Sequence, residues 1–374
     1  MRSSLGSSFS SRPGSRADRS RSSSIAVFPR PLQIPWAASV TVRAGWERCA
    51  RPNGKGDCRV HLVAYTRQAR GARRVALRII EFFGYSPLDN SDVAVRTRRA
   101  HLCPFLNGEC TKKLHDGSAG GACTVKQSQS GPIICCPNRL YNGNYRTLQD
   151  VAEISFGTPV NLIPGVDVSR ATHDGHFVAV FGKRWGKELR LPQRRGTGGY
   201  FVDWILALIG ADGRLNEFVA VEVQAIDTTG NYRAERNAYL AGHQFRGNST
   251  AGLNWENVAK RIRPQLIYTG HVLRQEPLCR KGMFFICPTP VYQRIQQRLG
   301  GGLRPYQFQP GALTFKSYDI GPEVPAGQRR ALEVGEQFTT TIDQVALAFT
   351  APADLPPAGV YEQSIEAELI ALRR

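Results

Sequence analysis

The hydrophobic pattern of the chain becomes that of a folded protein at about residue 76. From this pattern we predict helices at 76–84, near 146–156, over 254–275, at 288–299 and at 362–373. Pro264 should kink or split the third of these helices. We predict strands at 177–181, 187–191, 200–209, 217–226, 282–287 and after 311. Because strands and helices alternate after residue 177, we expect an α/β core.

Residues 1–75 are rich in Ser, Arg, Gly and Pro and show little hydrophobic periodicity. We expect this segment to be disordered, because it cannot bury enough apolar surface to offset the entropy of ordering it. Three interpretations compete: a tail that attracts nucleic acid, an organellar transit peptide, and a start codon placed too early. The abrupt beginning of ordered-looking sequence favours the third. The expected division is a disordered extension at 1–75, a cysteine-rich segment at 76–160, and the core with C-terminal elements at 161–374.

Charge points to a polyanionic partner, although it is unevenly distributed. The net charge is +19, and residues 1–75 contribute +12 of it from 15 Lys/Arg and 3 Asp/Glu. The moderately basic remainder suits an enzyme that attracts phosphates and still releases its product, but it also suits many proteins that bind no nucleic acid. No apolar run reaches the roughly 18 residues of a membrane span, and prolines interrupt the N-terminal stretch that could have formed the apolar core of a signal peptide. We therefore expect a cytoplasmic protein that does not associate with membranes.

Cysteines are concentrated in one segment of the chain. Five of the nine lie close together, at Cys103, Cys110, Cys123, Cys135 and Cys136. Four thiolates can close a tetrahedral metal site, and such a site is structural because it leaves no position open for a substrate. Zn²⁺ is the default occupant and Fe its main competitor, and His101 or His115 could replace one thiolate. Buried thiols that bind no metal are the alternative.

Two apolar strands flank Asp212-Gly213, a strong signal for a tight hairpin turn. A two-residue turn makes the numbers of paired residues sum to 425. Asp203 and Glu222 then face each other directly, with Cβ atoms roughly 4.5–5.5 Å apart. A bulge would shift this register by one residue.

Two facing carboxylates destabilise an apolar hairpin unless a cation neutralises them. Gln224 should project from the same face as Glu222, because side chains alternate along a strand. Glu188, on an upstream strand, could supply a third carboxylate. Oxygen ligands of this kind suit Mg²⁺, which would polarise a phosphodiester for hydrolysis. The alternative is a chance pair of solvent-facing acids, which are common on antiparallel strands.

An Asp followed by Glu-x-Lys on a hairpin is the signature of the PD-(D/E)xK nucleases, and here Gln224 stands in the place of the Lys. Over roughly residues 78–374 the chain resembles the NotI-type type II restriction endonucleases of that superfamily. The motifs that carry the resemblance are, in order, Glu81-Phe82-Phe83-Gly84, Cys103-Pro104-Phe105-Leu106, Cys123, Cys136-Pro137-Asn138-Arg139, Asp203-Trp204, Glu222-Val223-Gln224, Gly230-Asn231-Tyr232 and Asn257-Val258-Ala259-Lys260-Arg261.

The resemblance implies a restriction-endonuclease-like core, with a mixed sheet flanked by helices, that hydrolyses double-stranded DNA at a specific, GC-rich palindromic site with Mg²⁺. It implies that Asp203 and Glu222 bind the Mg²⁺ and that Gln224 is the family's own variant of the Lys. It also implies a structural metal, iron in this family, held by four cysteines and leaving Cys135 free. Those four are Cys103, Cys110, Cys123 and Cys136.

A palindromic site implies a homodimer, because two-fold symmetry of the protein mirrors that of the DNA, and a restriction enzyme needs a cognate DNA methyltransferase as its genetic partner. The candidate contacts to DNA are Lys183, Arg184, Arg190, Arg194, Arg195, Arg233, Arg236, Lys260 and Arg261. Two other classes stay open: a non-catalytic DNA-binding protein with a degenerate nuclease fold, and an unrelated metal hydrolase acting on small phosphates. Mg²⁺-dependent cleavage of plasmid DNA tests the first, and a neighbouring methyltransferase gene argues against the second.

Overall fold

A seven-stranded mixed sheet carries much of the buried apolar surface of the protein. The computed structural model describes residues 77–127, 131–157, 160–170, 175–183, 185–186, 188–189, 201–258, 260, 263–351 and 355–373. The chain divides into two units, Met1–Ala72 and Arg73–Arg374. All described residues belong to the second unit, so the predicted extension at 1–75 lies outside them. The predicted boundary at residue 160 stays a prediction.

Fourteen strands and eight α-helices are described. The strands are β1 (Leu77–Phe82), β2 (Leu102–Cys103), β3 (Gly108–Glu109), β4 (Ala122–Gln127), β5 (Pro132–Ile134), β6 (Leu162–Pro164), β7 (Phe177–Gly182), β8 (Trp204–Ile209), β9 (Leu215–Val223), β10 (Thr228–Thr229), β11 (Gly252–Leu253), β12 (Met283–Pro288), β13 (Ala312–Ile320) and β14 (Leu332–Thr341). The helices are α1 (Asp92–Arg99), α2 (Asn142–Phe156), α3 (Arg233–Leu240), α4 (Trp255–Asn257), α5 (Arg263–Leu273), α6 (Thr289–Leu299), α7 (Ile342–Thr350) and α8 (Val360–Leu372). A 3₁₀ helix spans Pro137–Tyr141.

The strand order of the central sheet is β14-β13-β12-β9-β8-β7-β6. Strands β9, β12 and β13 run parallel to one another, whereas β8 and β14 are antiparallel to their neighbours. On β9, Val219, Val221 and Val223 pack with α2 on one face of the sheet. Ala220 points to the opposite face and packs with residues of α5, α6 and α7. The predicted α/β class, with a mixed sheet flanked by helices, is therefore confirmed.

A separate three-stranded sheet, β1-β4-β5, holds the cysteine-rich segment. The predicted helix at 76–84 is wrong, because its residues form β1 and pair antiparallel with β4. Leu77 and Ile79 alternate inward along this strand. Beside them, the buried carboxylate of Glu81 accepts two hydrogen bonds from Arg139, at 2.8 and 3.0 Å. Long-range pairing thus decides the conformation of an apolar run that is too short to show a clear period.

Most other predicted elements are found. The helix near 146–156, the strand at 177–181, the strand at 282–287 and the helix at 288–299 are α2, β7, β12 and α6. The helical region at 254–275 is split, and Pro264 lies in the first turn of α5, where a missing N–H is tolerated. The predicted strand at 187–191 lies mostly outside the described residues. Beyond 311 the chain forms two strands and two helices, one of each more than predicted.

None of the described helices is long and apolar enough to cross a membrane.

Candidate active site

The β8–β9 hairpin has the predicted register next to the two carboxylates. Paired residues sum to 425 from Trp204–Val221 through the next four pairs. The predicted two-residue turn is wrong, because Ile209 pairs with Leu215 and three residues form the turn. A bulge at Asn216 then restores the register. Two local irregularities therefore compensate each other before the carboxylates are reached.

Asp203 and Glu222 lie opposite each other at the open end of the hairpin. Asp203 immediately precedes β8, and Glu222 is the penultimate residue of β9. Because Val221 and Val223 face α2, Glu222 between them points to the other face, where Gln265 of α5 contacts it. The backbone N–H of Val223 donates to Asp203 Oδ2 at 2.9 Å. The structure thus brings the two predicted carboxylates together.

Burial and mutual repulsion make this pair reluctant to ionise. Glu222 is only 7 % exposed, and burial together with the charge of Asp203 raises the pKa of Glu222 to about 9. Burial also raises the pKa of Asp203, against the lowering effect of the Val223 N–H and of a hydrogen bond with Glu222. Asp203 is exposed as a whole residue, but one of its carboxylate oxygens accepts the hydrogen bond from the Val223 N–H. At neutral pH the two groups therefore share a proton in the absence of a cation.

Aromatic rings support the hairpin directly behind Asp203. Trp204 packs edge-on against Tyr141 and Tyr145, at centroid distances of 5.4 and 5.5 Å, and its Nε1 donates to the Tyr141 hydroxyl at 2.9 Å. Tyr145 has a φ of +61°, a strained conformation for a bulky residue. On β7, a Cβ at Gly182 would lie 2.6 Å from the Asp203 carbonyl oxygen and 2.3 Å from the Trp204 ring. Only glycine allows β7 to approach the site this closely.

The other predicted site residues that the structure describes lie near the carboxylate pair but do not complete a metal site of three ligands. Gln224 lies one residue beyond β9, and its Nε2 donates to the carbonyl of Ala225 at 2.8 Å rather than to a carboxylate. Glu188 is exposed, and its charge raises the pKa of Asp203, so the two carboxylates are near each other. Lys183 is also exposed and has the opposite effect on that pKa.

Gln265 is a site residue that the sequence analysis missed. It lies in the first turn of α5, and its Nε2 donates to Glu222 Oε1 at 3.3 Å. The two residues are 43 positions apart in the chain. Pro264 indicates that a helix starts here. No local sequence pattern indicates which strand this helix packs against.

The donor set of the carboxylate pair fits a Mg²⁺ ion. Within the described part of the chain, no group of three or more His, Cys, Asp or Glu residues is arranged to hold a metal. Mg²⁺ does not require such a group, because one or two protein carboxylates are enough when water and substrate phosphate complete the octahedron. Two crowded carboxylates with raised pKa values are also what a divalent cation would neutralise.

The cysteine segment is a cluster of buried thiols around β4 and β5. Cys103, Cys110, Cys123 and Cys136 are all buried, and burial raises the pKa of Cys123 and, to about 12, that of Cys136. The charges of neighbouring thiols also raise both pKa values, so these cysteines lie close to one another. The sulfurs are nevertheless not gathered in a metal-ligating arrangement among the described residues. The predicted four-cysteine metal site is therefore not supported by the geometry.

Backbone carbonyl groups contact two of these sulfurs, and a lysine lies beside the cluster. Cys123 Sγ contacts the Gly121 carbonyl oxygen at 3.4 Å, and Cys110 Sγ contacts that of Lys112 at 3.7 Å. Lys112 Nζ donates to the Cys135 carbonyl at 2.8 Å. Its ammonium thus lies against the thiols and would offset negative charge on thiolates. His101, a predicted substitute ligand, stacks on Phe83 instead.

The predicted DNA contacts have different environments. Arg236 is buried and its Nε donates to the Ala119 carbonyl at 2.7 Å, so it holds α3 in place. Arg233 is half exposed and lies 3.0 Å from Asp116, and Lys260 is exposed and lies 3.8 Å from Glu256. Five candidates lie outside the described residues: Arg184, Arg190, Arg194, Arg195 and Arg261.

A comparison with models of protein families relates this chain to a known family. The model described as "Restriction endonuclease NotI" matches residues 90–298, more than half of the chain. The matched region contains the cysteine cluster, the hairpin with both carboxylates, and α5 with Gln265. No curated protein matches the chain.

Proposed function

Because this chain belongs to the NotI family of restriction endonucleases, we propose that its carboxylate pair binds Mg²⁺ and directs phosphodiester hydrolysis at one palindromic DNA sequence. Family membership makes the protein a site-specific deoxyribonuclease that acts on double-stranded DNA. The metal, the catalytic residues and the target sequence are the proposed parts. The PD-(D/E)xK assignment of the core belongs with them.

The observation that carries this proposal is the contact between Asp203 and Glu222 in a crowded site that raises both pKa values. A divalent cation at this position would supply the positive charge that phosphodiester hydrolysis needs near the scissile phosphate. The Val223 N–H orients Asp203. Gln224 would turn its amide from the Ala225 carbonyl towards the attacking water, which it can hydrogen-bond without adding charge. Glu188, whose charge raises the pKa of Asp203, would have to move closer to the pair to supply a third carboxylate.

Exposed cations would hold the DNA backbone beside this pair. Lys183, Arg233 and Lys260 are the described candidates with accessible side chains, and Arg261 is a further one by sequence. Most such contacts go to phosphate and carry no sequence information. Arg or Lys paired with guanine in the major groove would read the GC-rich target that we propose.

We also propose that the four buried cysteines take up Fe or Zn²⁺ as a structural metal. The sulfurs of Cys110 and Cys123 would have to move from their present contacts with carbonyl groups, and the thiols would release protons on binding. Metal analysis of the purified protein tests this directly. Cys123→Ser should lose the metal and destabilise the fold, whereas Cys279→Ser, also buried but outside the cluster, should keep the metal. A Cys123→Ser protein that is fully stable and active would contradict a structural metal site.

A homodimer would match a palindromic target, and α8 supports it. No residue of this helix is buried, and Ile365, Leu369 and Leu372 are 48, 48 and 76 % exposed. Three glutamates occupy the helix and a basic residue, Arg373, follows it. Two copies packed antiparallel would bury the apolar side chains and bring Glu362 of one copy towards Arg373 of the other. A cognate DNA methyltransferase, encoded nearby, would complete the system.

Cleavage of supercoiled plasmid and phage DNA, with Mg²⁺ and with EDTA, tests the proposed activity. Asp203→Ala and Glu222→Ala should abolish cleavage, and both variants should still retard DNA in a gel without Mg²⁺. Glu217→Ala is the matched control on the same strand, because Glu217 pairs with Lys281 away from the site. No cleavage by the unchanged protein, or cleavage that persists in EDTA, would contradict the proposal.

A further inference from the structure

The Glu222 carboxylate has two hydrogen-bonding neighbours, Gln265 and Asp203. Oε1 accepts a hydrogen bond from Gln265 Nε2 at 3.3 Å. The carboxylate also hydrogen-bonds with Asp203. Glu222 is 7 % exposed, so few water molecules can reorient it. The amide of Gln265 therefore restrains which edge of the carboxylate faces Asp203.

Packing of α5 fixes Gln265 against this carboxylate. The next residue, Leu266, is buried in the core on the same side of the sheet as Ala220. One turn further, a Cβ on Gly270 would lie 2.3 Å from the Ile342 side chain, so α5 and α7 approach too closely for any larger residue. Gln265 itself is only partly buried. The packing of neighbouring residues holds the backbone of Gln265 in place, and its side chain reaches the Glu222 carboxylate.

The chemistry of an amide suits this position. A carboxamide donates a hydrogen bond and carries no charge. A Lys or Arg at the same place would neutralise Glu222 and compete with a cation for it. An apolar residue would leave the carboxylate free to turn away from Asp203. Groups that hydrogen-bond to metal ligands commonly set metal affinity in this way.

We propose that Gln265 is a positioning residue that orients Glu222 for joint cation binding with Asp203. This inference rests on the proposed Mg²⁺-dependent function. Gln265 contacts no reacting group in it and acts only through Glu222. Its loss should therefore raise the Mg²⁺ concentration that the protein requires while leaving the rate at saturating Mg²⁺ close to that of the unchanged protein.

The experiment compares Gln265→Met, which keeps the length of the side chain and removes its donor, with Gln275→Met. Gln275 is exposed just beyond the C-terminal end of the same helix, so it controls for the substitution itself. The first readout is the thermal unfolding midpoint as a function of Mg²⁺, measured without DNA. The second is the Mg²⁺ dependence of plasmid cleavage. In both, Gln265→Met should move the half-saturating Mg²⁺ concentration upward by about tenfold, and Gln275→Met should leave it unchanged.

A merely structural role for Gln265 would lower the unfolding midpoint at every Mg²⁺ concentration without shifting the half-saturation point, and that result would overturn the inference. Equal half-saturation in Gln265→Met and the unchanged protein would overturn it too. In both cases the unchanged protein still shows metal-dependent cleavage, so the proposed function stands. If the unchanged protein cleaves equally well in EDTA, it is the proposed function that fails.

Discussion

Replacing Glu222 with Gln should stabilise the metal-free protein. The pKa of Glu222 is raised from 4.5 to about 9 in the folded state, so at pH 7 the folded chain must keep a proton that the unfolded chain has lost. Because pH 7 lies about 2.5 units above the ordinary pKa of 4.5, keeping this proton costs about 3 kcal/mol of folding free energy. Gln has the same length and no charge. Its oxygen can accept from Gln265 and its amide can donate to Asp203, so both present contacts can be kept.

The pH dependence of this gain follows from the direction of the shift. Below pH 4.5 Glu222 is protonated in both states, and the variant and the unchanged protein should be equally stable. Between pH 4.5 and about 9 the folded state holds the extra proton, so the stability of the unchanged protein falls with rising pH relative to Glu222→Gln. The advantage should therefore grow through this window. Saturating Mg²⁺ should reduce it, because the cation binds the two-carboxylate form.

Urea unfolding in EDTA at pH 5 and pH 8 measures the effect. Trp204, in contact with the Tyr141 and Tyr145 rings, provides a fluorescence signal close to the site. Glu217→Gln is the control on the same strand, and it should destabilise because Glu217 is paired with Lys281 at 3.1 Å. If Glu222→Gln is no more stable than the unchanged protein at pH 8, the carboxylates do not repel each other as the geometry requires.

Three further predictions concern β7, the 3₁₀ helix and α8. Gly182→Ala should slow cleavage at least about tenfold, because the added Cβ would displace the Asp203 backbone; plasmid cleavage measures it. Arg139→Met should destabilise by about 3–5 kcal/mol in urea unfolding, because it leaves the buried Glu81 carboxylate without its cation. Ile365→Lys should shift the protein from dimer to monomer in sedimentation and leave its circular dichroism spectrum unchanged, because this side chain is exposed within one copy.

Each of these predictions has a result that would contradict it. Gly301→Ala adds a Cβ with open space around it, and a Gly182→Ala rate within twofold of that control would mean that the close approach does not matter. Loss of less than about 1 kcal/mol in Arg139→Met would rank that ion pair with surface pairs. A dimer that survives both Ile365→Lys and a second charge at Leu369 would place the interface elsewhere.

Some of this site could be predicted from the sequence because it depends on local spacing. Side chains alternate strictly along a strand, so the numbering of the hairpin was enough to bring Asp203 opposite Glu222. The predicted length of the turn, two residues, was wrong. The three-residue turn and the Asn216 bulge cancel, and a sequence pattern does not show such a cancellation.

Other parts depend on contacts between distant segments. β1 was predicted as a helix because its short apolar run has no decisive period, and only pairing with β4 makes it a strand. β14 was missed because it is an edge strand with half of its residues exposed and only one buried, which leaves little hydrophobic pattern. Gln265 was missed because its partner is 43 residues away.

The compensating irregularities of the hairpin also make the position of the two carboxylates independent of the length of the turn. β9 is fixed by β12 on one side and β8 by β7 on the other, so neighbouring strands, and not the length of the turn, hold Asp203 and Glu222 opposite each other. Residues can be gained or lost around Gly213 without moving the carboxylates. The tip is therefore a permissive position, where relatives can differ in length and where a peptide tag or a fluorophore can be inserted into a working enzyme.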